Sequence, residues 1–165
     1  MQRKIKSLFE RARRRKADLL FVLLWSIIFS VVVIKVYLAA YLRILRLSYF
    51  QIPFASYDGP APDILDMLII AVISLIAGFF LHDIKDMLFG YVATVSLAFI
   101  VGVAFVSFYI WGPLGWGELF SLGPYEWEWA LLLAVWNVFR IMFPLLVAIS
   151  LISVIIGAFT KELVA

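Results

Sequence analysis

The side chains that could do chemistry in this chain are few, and their spacing narrows what the chemistry could be. Two carboxylate pairs recur at i, i+3: Asp63-Ile-Leu-Asp66 and Asp83-Ile-Lys-Asp86. On a helix that spacing puts both acids on one face, where a pair could hold a divalent cation carrying a diphosphate. His82 stands beside Asp83, and an imidazole of near-neutral pKa next to a carboxylate suits proton transfer or metal binding. A third group mixes charges: Lys35, Arg43 and Arg46, with Asp58, Asp63 and Asp66, and further along Asn137 and Arg140. At about 100° per residue, positions 35, 43 and 46 fall within an arc of ~80°. Such a basic stripe could bind an anionic head group or an anionic substrate.

Each constellation also has a plainer reading. Acids near a helix start cap it and face the positive end of its dipole. The two acidic pairs, about 20 residues apart, would sit ~30 Å from each other on one membrane-length helix axis, so they do not act on one substrate. His82, Asp83 and Asp86 serve equally as a polar turn at the headgroup level. The outer cluster of Lys35, Arg43, Arg46, Asp63, Asp66, Asn137 and Arg140 can be snorkelling side chains and ion pairs between helices.

Composition removes other chemistry. The chain has no cysteine and a single histidine. It can therefore build no disulfide or iron–sulfur cluster, and a bis-histidine haem or two-histidine zinc or copper site would need a second protein. No Gly-x-Ser-x-Gly, His-Glu-x-x-His or phosphate-cradling glycine loop occurs. The expectation is a protein with no cofactor, no metal site and no catalytic residues of its own.

The elements that must position these residues follow from hydropathy. The 165 residues are 65% hydrophobic and 15% charged, with a mean hydropathy of +1.07. A soluble globular chain is about 45–50% apolar and about 25% charged, so the fold class expected is an all-α polytopic membrane protein. Eight of the 14 Lys and Arg lie in the first 16 residues. That block, including Arg11, Arg13, Arg14, Arg15 and Lys16, stays cytoplasmic under the positive-inside rule and is placed to contact anionic lipid. Ile5, Leu8, Phe9 and Ala12 repeat at i, i+3, i+4, i+7, which predicts an amphipathic helix over residues 1–17 that lies on the inner headgroups or continues into the first span.

Residues 18–165 read as a single transmembrane domain with spans over 19–42, 64–81, 87–111 and 138–159, both termini being cytoplasmic. Outer loops cover 51–62 and 112–126, where proline and glycine cluster. Residues 127–139 form an interfacial or tilted segment, with Arg140 near the outer interface and a bend near Pro144. An unbroken helix from 63 to 111 would be ~73 Å long, far more than a bilayer accepts, so His82–Asp86 must turn the chain. Small residues recur at helical spacing in Ser74 and Gly78, Ala98 and Gly102, and Ser153 and Gly157. Such stripes allow close helix approach in lipid, either within the bundle or against a partner.

The function expected from these features is that of a non-catalytic integral membrane subunit. It would pack into and stabilise a larger assembly in the plasma (cytoplasmic) membrane, with other membrane subunits and anionic lipids as partners and no nucleic acid. The ground is the near absence of mid-membrane ionisable residues, which transporters and proton relays need. The alternatives are a small oligomeric transporter or channel with an outer vestibule at Lys35, Asp66 and Arg140, and a lipid-modifying enzyme using His82, Asp83 and Asp86.

Overall fold

The computed structural model describes residues 2–49, 60–81, 84–111 and 124–164, with side-chain surroundings from 16 to 42, 60 to 81, 84 to 109, at 128 and from 131 to 164. His82 and Asp83 lie outside the described residues, as do residues 50–59 and 112–123, where outer loops are expected. Among the described residues the chain is helical apart from 60–63, Leu81 and one break at Phe143. The helices are α1 (Gln2–Tyr49), α2 (Ile64–Phe80), α3 (Ile84–Trp111), α4 (Pro124–Ile141) and α5 (Val147–Val164).

Three stretches are long and apolar enough to cross a membrane: Lys16–Leu42, Ile84–Tyr109 and Leu131–Val164. The fourth apolar helix, α2, has 17 residues and is ~25 Å long, short of the ~30 Å hydrocarbon core. The basic N-terminal segment is not a separate helix, because α1 continues from Gln2 through the apolar run without interruption. Between α2 and α3 the chain turns at Leu81, whose φ of −65° and ψ of 133° are extended, so no single helix runs from 63 to 111.

Cross-helix contacts give the directions. Phe21 stacks on Phe80, Trp25 reaches Ser74 and Lys35 reaches Asp66, so α1 and α2 are antiparallel. Ser26 meets Thr94 and Tyr41 meets Tyr109, so α1 and α3 are parallel. Gly78 meets Val154, and Lys161 meets Leu81, so α2 and α5 are parallel. Gly102 meets Val138, and Leu131 lies beside Phe108, so α4 descends antiparallel to α3. The bundle thus alternates in direction from α1 to α2 to α3, and α4 and α5 return together. Lys16, Lys85 and Lys161 sit towards one end, with Asp63 and Asp66 at the other.

α4 packs mainly on α3, whereas α5 packs mainly on α2. The switch between neighbours is made at Phe143, whose φ of −106° and ψ of 139° leave the helical region. Proline disfavours helical geometry in the residue before it and donates no hydrogen bond itself, so Phe143-Pro144 redirects the chain. The 34-residue stretch Leu131–Val164 is therefore two helices in series. The core runs along the bundle through Phe29, Val33, Ile70, Val106, Val138 and Met142, all fully buried. Outward, residues such as Leu68, Val72, Phe89, Ile100, Leu132 and Ile152 are exposed, an apolar surface that a lipid environment accommodates.

Candidate functional site

The site grows from the N-terminus of α2. Asp63 is its N-cap: the Asp66 amide donates to Asp63 Oδ1 at 2.8 Å, and the Asp63 amide donates to Asp66 Oδ2 at 3.2 Å. This reciprocal box satisfies two amide donors, one of them an orphan of the first helical turn. Asp66 is 2% exposed. A carboxylate buried to that degree needs a counter-charge, and Lys35 Nζ donates to Asp66 Oδ1 at 2.6 Å while lying 3.6 Å from Asp63 Oδ2. Both oxygens of Asp66 are thereby engaged. The Asp66 amide holds the Asp63 carboxyl below the usual range, and the Lys35 charge adds to that effect.

Of the seven residues in the expected outer cluster, the structure brings together Lys35, Asp63 and Asp66. The backbone of Arg43 and Arg46 continues α1, and their side chains lie outside the described surroundings. Asn137 turns back on its own helix and donates to the Leu133 carbonyl at 2.8 Å. Arg140 is exposed on α4 and forms no ion pair with a described residue.

Its level in the bundle relative to Lys35 follows from its neighbours. A Cβ on Gly102 would lie 3.1 Å from Val138 and 3.2 Å from Val33, so these three residues share a level. Arg140 lies two residues below Val138 and Lys35 two residues above Val33, so Arg140 is about four residues, or ~6 Å, deeper in the bundle than Lys35. The bend expected near Pro144 is present as the break at Phe143. Around Arg140 the face is apolar and aromatic: Trp136, Phe139 and Phe143 are exposed, with ring centroids 6.3 Å and 4.8 Å apart in sequence.

The small-residue stripes meet one another. Ser74 and Gly78 of α2 face Ser150, Val154 and Gly157 of α5. A Cβ on Gly78 would come to 2.1 Å from the Val154 carbonyl oxygen, and one on Gly157 to 2.2 Å from that of Leu75, so glycine at both places permits backbone contact. Ser153 is buried on the same helix, and Ala98 and Gly102 are buried on α3, Gly102 between α1 and α4.

Polar links that periodicity did not reveal lie deeper. Trp25 Nε1 donates to Ser74 Oγ at 3.1 Å, and the Ser74 and Ser150 hydroxyls are 2.8 Å apart, tying α1, α2 and α5 in one chain of bonds. The Tyr91 hydroxyl donates to the Val147 carbonyl at 2.9 Å, fixing the start of α5 on α3. Lys161 Nζ donates to the Leu81 carbonyl at 2.8 Å, so the short helix α2 is held by a lysine from another helix at each end. Serines inside apolar runs were the available signal for this network. Of the turn expected over His82–Asp86, residues 84–86 are instead the first turn of α3, where Lys85 and Asp86 are exposed. Among the described residues no group of three or more His, Asp or Glu side chains is placed to hold a metal. No protein-family model, curated protein or solved structure matches the chain.

Proposed function

We propose that the chain is a non-catalytic integral membrane subunit that packs into and stabilises a larger membrane protein complex. In this reading it spans the plasma (cytoplasmic) membrane four times, with both termini and the basic start of α1 at the cytoplasmic side. The alternating helix directions and the gathering of Lys16, Lys85 and Lys161 at one end support that topology.

The observation that carries the reading is Arg140. A guanidinium at membrane depth normally faces a partner or a wet cavity, and here it stands on an exposed aromatic face with no ion pair to a described residue. A carboxylate or carbonyl from a neighbouring membrane helix would complete it. By contrast Lys35 and Asp66, which an outer transport vestibule would need open, are closed on each other and on the cap of α2. The basic segment Arg11–Lys16 is read as a contact with anionic lipid that adds ~1 kcal/mol per residue near the surface.

The test of the reading is extraction of the tagged chain from its native membrane in mild detergent. A stoichiometric membrane partner that is lost on Arg140→Leu is the expected result. Robust Arg140-dependent ion or anion flux through liposomes holding this chain alone would overturn it.

A further inference from the structure

The short helix α2 carries a fixed charge level at each end. At its start Lys35 Nζ donates to Asp66 Oδ1 at 2.6 Å and lies 3.6 Å from Asp63 Oδ2. The side chains of Lys35 and Asp63 are 49% and 60% exposed, so this end needs water or head groups beside it. At its finish Lys161 Nζ donates to the Leu81 carbonyl at 2.8 Å. A lysine near a membrane edge ordinarily stretches its stem outward to reach the head groups. These two are instead tied to the ends of α2. The two polar levels are therefore ~22 Å apart counted from Asp66 and ~27 Å from Asp63, at 1.5 Å per residue. Between them Leu68, Val72, Leu75 and Phe79 are exposed.

Helix α3 offers a longer apolar surface. From Met87 to Tyr109 it holds no charged residue, a length of ~33 Å. A hydrocarbon layer of ~30 Å suits α3 and is ~3–8 Å too thick for α2. A span shorter than its bilayer is accommodated by snorkelling flanks, by association with another protein or by thinner lipid. The hydrogen bonds of Lys35 and Lys161 remove the first. The charges at both ends of α2 are answered within the chain, so they call for no protein partner. We infer that the exposed face of α2 is a lipid-binding surface selective for short acyl chains, which thin the bilayer on this side of the bundle and not along α3. Tilt of α2 shortens its projection and strengthens the selection. The inference rests on α2 crossing a bilayer, as in the reading above, and is independent of any partner at Arg140.

The test uses the purified full chain in vesicles of equal parts short-chain and long-chain phosphatidylcholine, whose own bilayers have hydrocarbon layers of about 25 Å and about 35 Å. A single cysteine at exposed Val72 of α2 or exposed Leu97 of α3 carries a fluorophore. Bromine on the acyl chains of one lipid or the other serves as a contact quencher. At Val72→Cys the short-chain lipid should be enriched about twofold to fivefold beside the label, and at Leu97→Cys no such enrichment is expected. Leu68→Cys is a second α2 position that gives the same result should Val72→Cys fail to fold. Equal quenching by the two lipids at α2, the same short-chain preference at α3, or no quenching at α2 by either lipid, as a second copy covering the face would give, would each overturn the inference. Thiol labelling of Ser56→Cys and Lys85→Cys in the same vesicles reads the topology separately. Both on one side would overturn the crossing of α2 itself, whereas opposite sides without a lipid preference would overturn the selection alone.

Discussion

Lys35 Nζ and Asp66 Oδ1 are 2.6 Å apart across the α1–α2 contact, and the other oxygen of the same carboxylate closes the N-terminal cap of α2. One buried side chain therefore joins an ion pair between helices to a cap within a helix. Removing the lysine strands a desolvated carboxylate, which costs more than the pair itself contributes. Lys35→Met should lower the melting temperature strongly in the parent and much less in an Asp66→Asn background. A double-mutant cycle in detergent measures the coupling. Equal effects in both backgrounds would show that the two groups act independently.

The α2–α5 contact is backbone on backbone. Gly78→Ala and Gly157→Ala place a methyl group 2.1 Å and 2.2 Å from carbonyl oxygens that cannot move aside. Each should cost about 3 kcal/mol, the upper part of the overpacking range. Gly90→Ala is the internal comparison, since its new Cβ would meet the flexible end of Val22 at 2.9 Å. There the gain in helix propensity of about 1 kcal/mol offsets the adjustment, and the net change should be close to zero. Chemical denaturation of the three variants in one detergent tests the ordering.

Ser74 accepts from Trp25 and bonds to Ser150. Polar links between membrane helices average about 0.6 kcal/mol and reach about 1.7 kcal/mol. Ser74→Ala breaks two and leaves an indole N–H unpaired, so about 1–2 kcal/mol should be lost. Ser150→Ala breaks one and should cost about half as much. Chemical denaturation of the two variants followed by circular dichroism measures both losses.

Asp63 lies just ahead of α2, and its carboxyl is held below the ordinary value of 3.8. A group whose pKa is lowered by folding stabilises the fold fully above the ordinary value, and that stabilisation disappears as pH falls through the folded-state value. Stability attributable to Asp63 should therefore be flat from pH 7 to about pH 4 and fall below that. Asp63→Asn keeps a good N-cap and should flatten the acid limb. Melting curves between pH 7 and pH 3 check this; an Asp63-dependent loss already between pH 7 and pH 5 would contradict it.

Much of the fold is legible in the sequence because hydropathy along the chain measures what each residue would lose in water. The apolar runs, the end of α2 before Leu81, and the capping role of Asp63 and Asp66 all follow from local composition and spacing. Which faces meet does not. Ser74 and Gly78 form a stripe on paper, but only the fold shows that the stripe opposite is Ser150, Val154 and Gly157. Lys35, Arg43, Arg46 and Arg140 look alike as charges near a membrane edge. Lys35 finds buried Asp66 because α1 and α2 are antiparallel in one register, and the level of Arg140 is set by how α4 packs on α3 and α1 at Val138, Gly102 and Val33. Long-range pairing and depth are set by tertiary packing, and a single sequence carries no direct record of either.

Cysteines introduced at Ser56 and Ser121 test the four-span arrangement in this cysteine-free chain. With intact cells and an impermeant thiol reagent, both should label and one at Lys85 should not. Labelling at Lys85 would reverse the orientation or change the number of crossings.

The proposed subunit role requires that Arg140 find its partner outside the chain, and extraction from native membrane measures that requirement directly. In mild detergent the tagged parent should migrate as a complex with a stoichiometric membrane partner, and Arg140→Leu should release the chain while leaving its own melting temperature within about 0.5 kcal/mol equivalent of the parent, as for other exposed positions. Migration of the parent with no other protein, unchanged by Arg140→Leu, would contradict it.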